Sequence, residues 1–177
     1  MTTSQRLEKG LVQVYTGEGK GKTSAALGLA LRAIGRGLKV YVVMFLKGGF
    51  DYGEKYIVDR LPNLKLTAFG TGEFIKLPTE EDFEEAGKAL ELAKKIVSSG
   101  EYDIVILDEI NVALNLRLIG VDEVIHLIKS KPKHVELILT GRYAPPEVIE
   151  VADLVTEMRE VKHPYTRGVS PRKGIEY

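Results

Sequence analysis

The sequence predicts an α/β domain of three layers, in which helices cover both faces of a mostly parallel sheet. Short apolar runs alternate with helix-like segments along almost the whole chain. These runs are continuously apolar, which is typical of strands buried on both faces of a parallel sheet. Strands that alternate with helices also indicate right-handed βαβ crossovers, which place the helices in two outer layers.

Six strands are predicted, each from one apolar run. They cover residues 11–15, 39–45, 64–69, 104–107 and 135–139, with a short strand near residues 154–155.

The clearest helix is predicted over residues 80–98. Phe83, Leu90 and Val97 recur every seven residues beside Ala86 and Ala93, which indicates a face that packs on the core. Acidic residues come early and lysines late, in agreement with the helix dipole. Two further helices are predicted over residues 121–129 and 145–151, the latter with prolines in its first turn.

Bulk composition indicates one globular domain, and the short polar stretch 1–9 is interpreted as a flexible segment before it. The chain has 177 residues and 44% hydrophobic content, enough for a sizeable core. Lys+Arg and Asp+Glu are both 25, so no net charge favours nucleic acid or an anionic membrane as a partner.

The chain contains no cysteine, which excludes disulfides, thiolate metal sites and cysteine nucleophiles. The N-terminus lacks the apolar centre of a signal peptide, and the longest apolar run, 40–46, is too short to span a bilayer. We expect a cytoplasmic protein without a membrane partner.

Residues 16–23, TGEGKGKT, predict a loop that binds the phosphates of ATP. An apolar strand precedes the loop and a helix-like run, 24–31, follows it, as such a loop requires. Glycines let consecutive N–H groups face an anion, and the helix N-terminus adds partial positive charge. Thr16 stands where the general pattern has glycine. The predicted ATP-binding residues of this stretch are Thr16, Gly17, Glu18, Gly19, Lys20, Gly21, Lys22, Thr23 and Ser24.

A second motif, Asp108-Glu109 after the apolar strand 104–107, resembles a Walker B signature. A buried strand would then deliver a carboxylate to Mg²⁺ bound by Thr23. Glu109 has two open roles, because it could polarise a water molecule or ligate the metal.

Two more segments follow strands at the edge where α/β ligands bind. Lys47 lies in Phe-Leu-Lys-Gly-Gly at 45–49, which could face the ligand or form a surface loop. Arg142 lies in Thr-Gly-Arg at 140–142, where it could neutralise phosphate or form a surface ion pair. His163 is typical of a loop histidine, and His126 and His134 are interpreted as structural.

Together these stretches resemble the P-loop type of ATP:corrinoid adenosyltransferase, from about residue 10 to 177. That family carries threonine at the position of Thr16. The resemblance rests on an ordered set of motifs at 16–23, 32–37, 45–48, 107–111, 140–142, 162–164 and 173–177.

The resemblance implies a three-layer P-loop domain, similar to RecA, that uses its loop in an unusual way. A Co(I) corrinoid attacks the 5′-carbon of ATP and triphosphate leaves. Lys22 and Glu109 would be catalytic, and Thr23, Asp108 and Glu109 would hold Mg²⁺ or Mn²⁺. Arg142 would join the ATP-binding set.

The resemblance also implies a corrinoid site, a homodimer and a separate electron donor such as a reduced flavoprotein. Relatives often carry Thr-Gly-Phe-Thr-Trp, whereas this chain has Thr-Gly-Glu-Phe-Ile at 71–75 and no tryptophan. The corrinoid-binding candidates are Lys47, Phe74, Ile75, Lys162 and His163.

Three other functions compete with adenosyl transfer. One is a RecA-like ATPase in which Glu109 polarises water, although a form that binds DNA would need a basic stripe that this neutral chain lacks. The others are a nucleotide-sensing module and a small-molecule kinase. The products discriminate among them, since only the adenosyltransferase releases triphosphate.

Overall fold

The computed structural model describes residues 6–177, and its centre is a sheet of six parallel strands in the order β3-β2-β4-β5-β1-β6. The six predicted strands are confirmed, with ends shifted by up to two residues. The strands are β1 Val12–Thr16, β2 Val40–Met44, β3 Leu64–Ala68, β4 Ile104–Asp108, β5 Glu136–Thr140 and β6 Leu154–Glu157.

Within residues 6–177, five α-helices connect the strands. The helices predicted over 80–98, 121–129 and 145–151 are among them, and the helix-like run 24–31 lies within a fourth, α1. The additional helix α3 is a six-residue helix directly after β4, too short for a periodic apolar pattern to reveal. The helices are α1 Lys22–Ile34, α2 Glu80–Ser99, α3 Ile110–Asn115, α4 Val121–Ser130 and α5 Pro146–Val151. Short 3₁₀ helices cover Gly53–Tyr56, Val58–Arg60 and Pro164–Arg167.

The two faces of the sheet carry separate cores. Val43 and Leu107 pack on one face with α2 and α4, whereas Val42 and Ile106 pack on the other with α1. Strands β2, β4 and β5 are buried throughout, because each has a neighbour on both sides and helices above and below. The expectation of full burial is wrong for β6, whose four residues are exposed, and for β3, in which only Leu64 is buried; these two strands lie at the lateral edges of the sheet. In β1, buried and half-buried residues alternate.

The predicted apolar face of α2 is correct except at its start. Ala86, Leu90, Ala93 and Val97 are buried, but Phe83 is 47% exposed. The buried residue of the first turn is Asp82, whose carboxylate accepts from Thr79 and Thr71. Lys94 and Lys95 lie late in the helix as expected, although its last turn carries no basic residue. Helix α2 is thus fixed at its start by a capping box and not by apolar contact.

The predicted flexible segment, 1–9, falls partly outside the described residues, which begin at Arg6. Leu7 packs against the core on the α1 face, and the Arg6 guanidinium lies 3.4 Å from His134 Nε2. Among residues 6–177, no helix is both long and apolar enough to cross a membrane.

The register of the sheet aligns the carboxyl ends of β1, β2, β4 and β5 at one end of the strands. On β5, Thr140 is the residue directly after the one that pairs with Val14. Asp108 pairs with Met44, and Thr16 pairs with Glu157. Because the carboxyl ends of parallel strands share an edge, the loops that follow β1, β2, β4 and β5 meet there.

Candidate functional site

The loop after β1 runs close against the segment that follows β6. Gly19 N donates to Met158 O at 2.6 Å. A Cβ atom on Gly17 would lie 2.5 Å from Met158 O, and one on Gly19 would lie 2.7 Å from it. Gly17 and Gly21 also have φ values of 94° and 122°, a region that favours glycine. The glycines are therefore required by both the close approach and the backbone conformation.

Lys22 lies beneath the loop, with 8% of its surface exposed. Its ammonium donates to Gly17 O and Gly19 O, each at 2.7 Å. Burial lowers the pKa of Lys22, and the nearby Glu109 carboxylate opposes that shift. Since an ammonium has three N–H donors, one remains to meet a phosphate oxygen.

Asp108 is the centre of the site and is fully buried. Its Oδ1 accepts from Thr23 Oγ1 at 2.8 Å and from Thr140 Oγ1 at 2.6 Å. Its Oδ2 accepts from Lys47 Nζ at 2.7 Å. The carboxylate thus links the first turn of α1, the loop after β2 and the end of β5, and it is compensated by a positive charge.

Burial alone would lower the pKa of Lys47, but the charge of Asp108 and the hydrogen bond to it outweigh burial, so the pKa is raised. Lys47 therefore stays protonated beside Asp108. It was predicted as a corrinoid contact, and the structure places its ammonium against the carboxylate of the Walker B motif.

Glu109 occupies a strained backbone position directly after β4. Its φ is 61°, and its N–H donates to Thr140 Oγ1 at 3.0 Å. Leu46 and Tyr143, which follow β2 and β5, also have positive φ. Such residues cost on the order of 1–3 kcal/mol each and cluster at functional sites.

Burial, followed by the charge of Asp108, raises the pKa of Glu109. Lys47, Lys22 and Arg142 oppose that rise. Two carboxylates and three cations therefore interact in one place, as in a site that binds a metal ion and phosphates.

Thr16 and Arg142 join the loop after β1 to the loop after β5. Thr16 Oγ1 accepts from Ala144 N at 3.2 Å, a bond that glycine could not make. Arg142 Nε lies 3.5 Å from Glu18 Oε2. Both predicted ATP-binding residues thus lie beside the phosphate loop.

Lys20 and Ser24 are two further predicted ATP-binding residues, and neither side chain is among those bonded to Asp108. Lys20 Nζ donates to Glu176 Oε1 at 2.9 Å, and Ser24 is exposed on the first turn of α1.

The corrinoid candidates do not form one cluster. Phe74 and Ile75 follow β3, whereas Lys162 and His163 follow β6 at the opposite edge of the sheet. Phe74 is 88% exposed and its ring centroid lies 5.3 Å from that of Phe50, while Ile75 is partly buried on the core. Lys162 is exposed, and His163 Nδ1 accepts from a backbone N–H in its own turn.

The segment that carries Phe74 is fixed against the loop after β2. A Cβ on Gly48 would lie 2.2 Å from Gly70 O, so the two backbones are in direct contact. Gly70 N donates to Glu85 Oε2 at 3.2 Å, and Thr71 Oγ1 donates to Asp82 Oδ1 at 3.1 Å. Helix α2 thereby sets the position of the exposed Phe74.

Sequence reasoning did not assign three residues of this site: Thr140, Asn111 and Met158. Thr140 is two positions before Arg142, which the sequence analysis did single out, but the hydrogen bond of Thr140 to Asp108 depends on strand register. Asn111 is fully buried, and its Nδ2 donates to Gly141 O at 3.3 Å. Its Oδ1 has no partner in the part of the chain that the structure describes. Asn111 lies in the stretch 107–111, on which the family resemblance partly rests, and this was its signal in the sequence.

Comparison with known proteins agrees with this geometry. The family model of the ATP:corrinoid adenosyltransferase BtuR/CobO/CobP matches residues 8–177. A corrinoid adenosyltransferase of Sinorhizobium sp is 40% identical over 96% of this chain and 81% of its own. One of Pseudomonas aeruginosa is 37% identical over 97% of this chain and 86% of its own. One of Escherichia coli K12 is 34% identical over 96% and 87%. This chain therefore belongs to the ATP:corrinoid adenosyltransferase family.

Proposed function

We propose that this enzyme transfers the 5′-deoxyadenosyl group of ATP to the Co(I) centre of a corrinoid and releases triphosphate. The observation that supports this most directly is the convergence of Lys22 and Thr23 on the pair Asp108 and Glu109. Family membership supplies the identity of the two substrates.

The triphosphate would lie along the phosphate loop. Backbone N–H groups of residues 17–23 and the free N–H of Lys22 would meet its oxygens, and Arg142 lies beside the loop to add positive charge. These groups stabilise the charge that develops on the leaving group as the bond to carbon breaks.

The residues around Asp108 fit a divalent cation such as Mg²⁺ or Mn²⁺. The Thr23 hydroxyl and the Asp108 carboxylate are hard oxygen donors already within 2.8 Å of each other, and Glu109 follows directly. Residues 6–177 hold no group of three or more His, Cys, Asp or Glu side chains able to bind a metal, so further ligands would come from triphosphate and water. The bound cation would neutralise part of the triphosphate charge.

The reaction needs no activated side-chain nucleophile. The electron pair of Co(I) forms a bond to the 5′-carbon, the bond from that carbon to the triphosphate oxygen breaks, and cobalt becomes formally Co(III). Because Co(I) needs no deprotonation, the work of the protein is to position the substrates and stabilise the leaving group. The ATPase alternative is not favoured, because the matching family transfers adenosyl groups.

The corrinoid would bind over the exposed Phe74, which the loop after β2 and helix α2 hold in place. Phe74 and Ile75 would supply the apolar contact that relatives make with Phe and Trp. We assign Lys47 to the ATP and metal side of the site, because its ammonium is bound to Asp108. Lys162 and His163 remain candidate contacts from the other edge of the sheet.

Further elements of the proposal come from family resemblance. They are a homodimer, a separate electron donor such as a reduced flavoprotein, a cytoplasmic location and a role in synthesis or salvage of adenosylcobalamin. A size-exclusion measurement with light scattering tests the dimer.

The deciding experiment mixes the protein anaerobically with ATP, Mg²⁺ and chemically reduced cob(I)alamin. Light-sensitive adenosylcobalamin and an equal amount of triphosphate are expected. ADP and phosphate without alkylation of cobalt would instead support the ATPase.

A further inference from the structure

The phosphate loop is bonded to the segment 158–177 at two successive residues. Gly19 N donates to Met158 O at 2.6 Å. Lys20 Nζ donates to Ile175 O at 3.2 Å and to Glu176 Oε1 at 2.9 Å. The turn of the loop that presents its N–H groups is therefore fixed from outside by residues that take no part in the proposed reaction.

Hydrogen bonds from Arg172 hold the Glu176 carboxylate independently of its contact with Lys20. Arg172 donates to its carboxylate through the backbone N at 2.7 Å, Nε at 3.3 Å and an Nη at 3.0 Å. The backbone closes the same turn, since Glu176 N donates to Arg172 O at 2.9 Å. The Glu176 side chain is 16% exposed. An ion pair with one partner already ordered loses less side-chain entropy than a typical surface pair.

We propose that Glu176 is a positioning residue for the phosphate loop, and that it acts through Lys20 to keep the loop N–H groups in the geometry that receives triphosphate. The inference depends on the proposed role of this loop in ATP binding. The proposal predicts that removing the charge of Glu176 weakens the binding of ATP and triphosphate. Simple electrostatics predicts the opposite, because an acidic side chain near the loop would by its charge alone weaken the binding of a polyanion.

The test measures the Kd of ATP and of inorganic triphosphate, each with Mg²⁺, by calorimetry without corrinoid. Glu176→Gln is expected to weaken both by about two- to five-fold, the range for a partly exposed ion pair. Glu123→Gln is the matched control. The distance from Glu123 Oε1 to Lys94 Nζ is 2.8 Å, and this ion pair is not part of the phosphate loop. An unchanged or tighter Kd for Glu176→Gln would overturn the proposal.

A double-mutant cycle separates positioning from a general loss of order in the segment. In a Lys20→Met background, Glu176→Gln is expected to have no further effect on Kd. A full effect in that background would show that Glu176 does not act through Lys20. Hydrogen exchange of residues 17–22 without nucleotide gives an independent readout, and faster exchange in Glu176→Gln is expected. If the wild-type protein binds neither ligand, the proposed function fails instead.

Discussion

At the scale of single residues, Asp108 determines how the site is organised. One buried carboxylate receives hydroxyls from Thr23 and Thr140 and the ammonium of Lys47, and so connects loops that are distant in sequence. A divalent cation that binds Thr23 and Asp108 would enter a site where each of these oxygen atoms already has a partner. Lys47 then offsets the charge of the Asp108–Glu109 pair.

Lys22→Ala should lower the affinity for ATP and the rate of transfer by at least about 100-fold, because the variant loses the buried ammonium nearest the triphosphate. Binding is measured by calorimetry and transfer by the absorbance of adenosylcobalamin. Lys88→Ala serves as a control, since Lys88 pairs with Glu85 on the surface of α2. Unchanged transfer in Lys22→Ala would contradict the role of the phosphate loop.

Glu109→Gln should reduce turnover that depends on Mg²⁺ by about 10- to 100-fold, the usual loss when a group that tunes a metal site is changed. The dependence of the rate on Mg²⁺ concentration checks this result. Glu101→Gln, an exposed change just before β4, is the control. If transfer survives while a basal hydrolysis of ATP disappears, Glu109 polarises water.

At the scale of elements, the glycines differ in whether a side chain would have room. A Cβ at Gly48 would lie 2.2 Å from Gly70 O, whereas one at Gly28 in α1 would meet no described atom within 4 Å. The close contact therefore explains why position 48 is glycine, whereas Gly28 has room for a side chain.

Gly48→Ala should lower the free energy of unfolding by about 1–3 kcal/mol, because the two loop backbones must separate. Gly28→Ala should raise it by about 0.5–1 kcal/mol, because alanine has the better helix propensity. Urea denaturation measures both. A stabilising Gly48→Ala would mean that the loops after β2 and β3 adjust without cost.

Elements also show how far sequence reasoning extends. Continuous apolar runs located all six strands, since burial on two faces leaves a simple signal. The same rule overestimated the burial of β6, because edge position is a property of sheet order. Phe83 was misplaced for a related reason, as the first turn of α2 is set by hydrogen bonds of Asp82.

The candidate site likewise contains residues that the sequence was sufficient to find and contacts that it could not reveal. Gly-Lys-Thr at 21–23 and Asp-Glu at 108–109 are local patterns with a known physical meaning, so the sequence was sufficient to find them. Contacts of Thr140 and Met158 depend on register and on the path of the chain after β6, which no local pattern encodes.

At the scale of the whole molecule, residues 172–176 complete a charged cluster with Lys20. Hydrogen bonds from Arg172 and then Lys20 lower the pKa of Glu176 from 4.5 to about 2. A carboxylate with a lowered pKa stabilises the folded arrangement above its ordinary pKa, and that contribution is lost as the pH falls.

We therefore expect the contact between Lys20 and the segment 158–177 to weaken between about pH 4.5 and pH 2. The chain has no tryptophan, so Tyr177→Trp would provide a single fluorescent probe of this contact. Its emission should shift to the red over this range, and should already be shifted at neutral pH when Glu176→Gln is added. An emission that stays constant down to pH 2 in the parent variant would contradict the assignment.

The position of β1 has a consequence for synthesis of the chain. This first strand lies between β5 and β6, which are the last two strands of the sheet in chain order. During translation the phosphate loop is made early, yet Thr140, Met158 and Glu176 reach the site only after β2, β3 and β4 have been synthesised. A nascent chain that has not yet reached β5 therefore lacks part of the nucleotide site, and we expect ATP to stabilise the fold only after β5 has been synthesised.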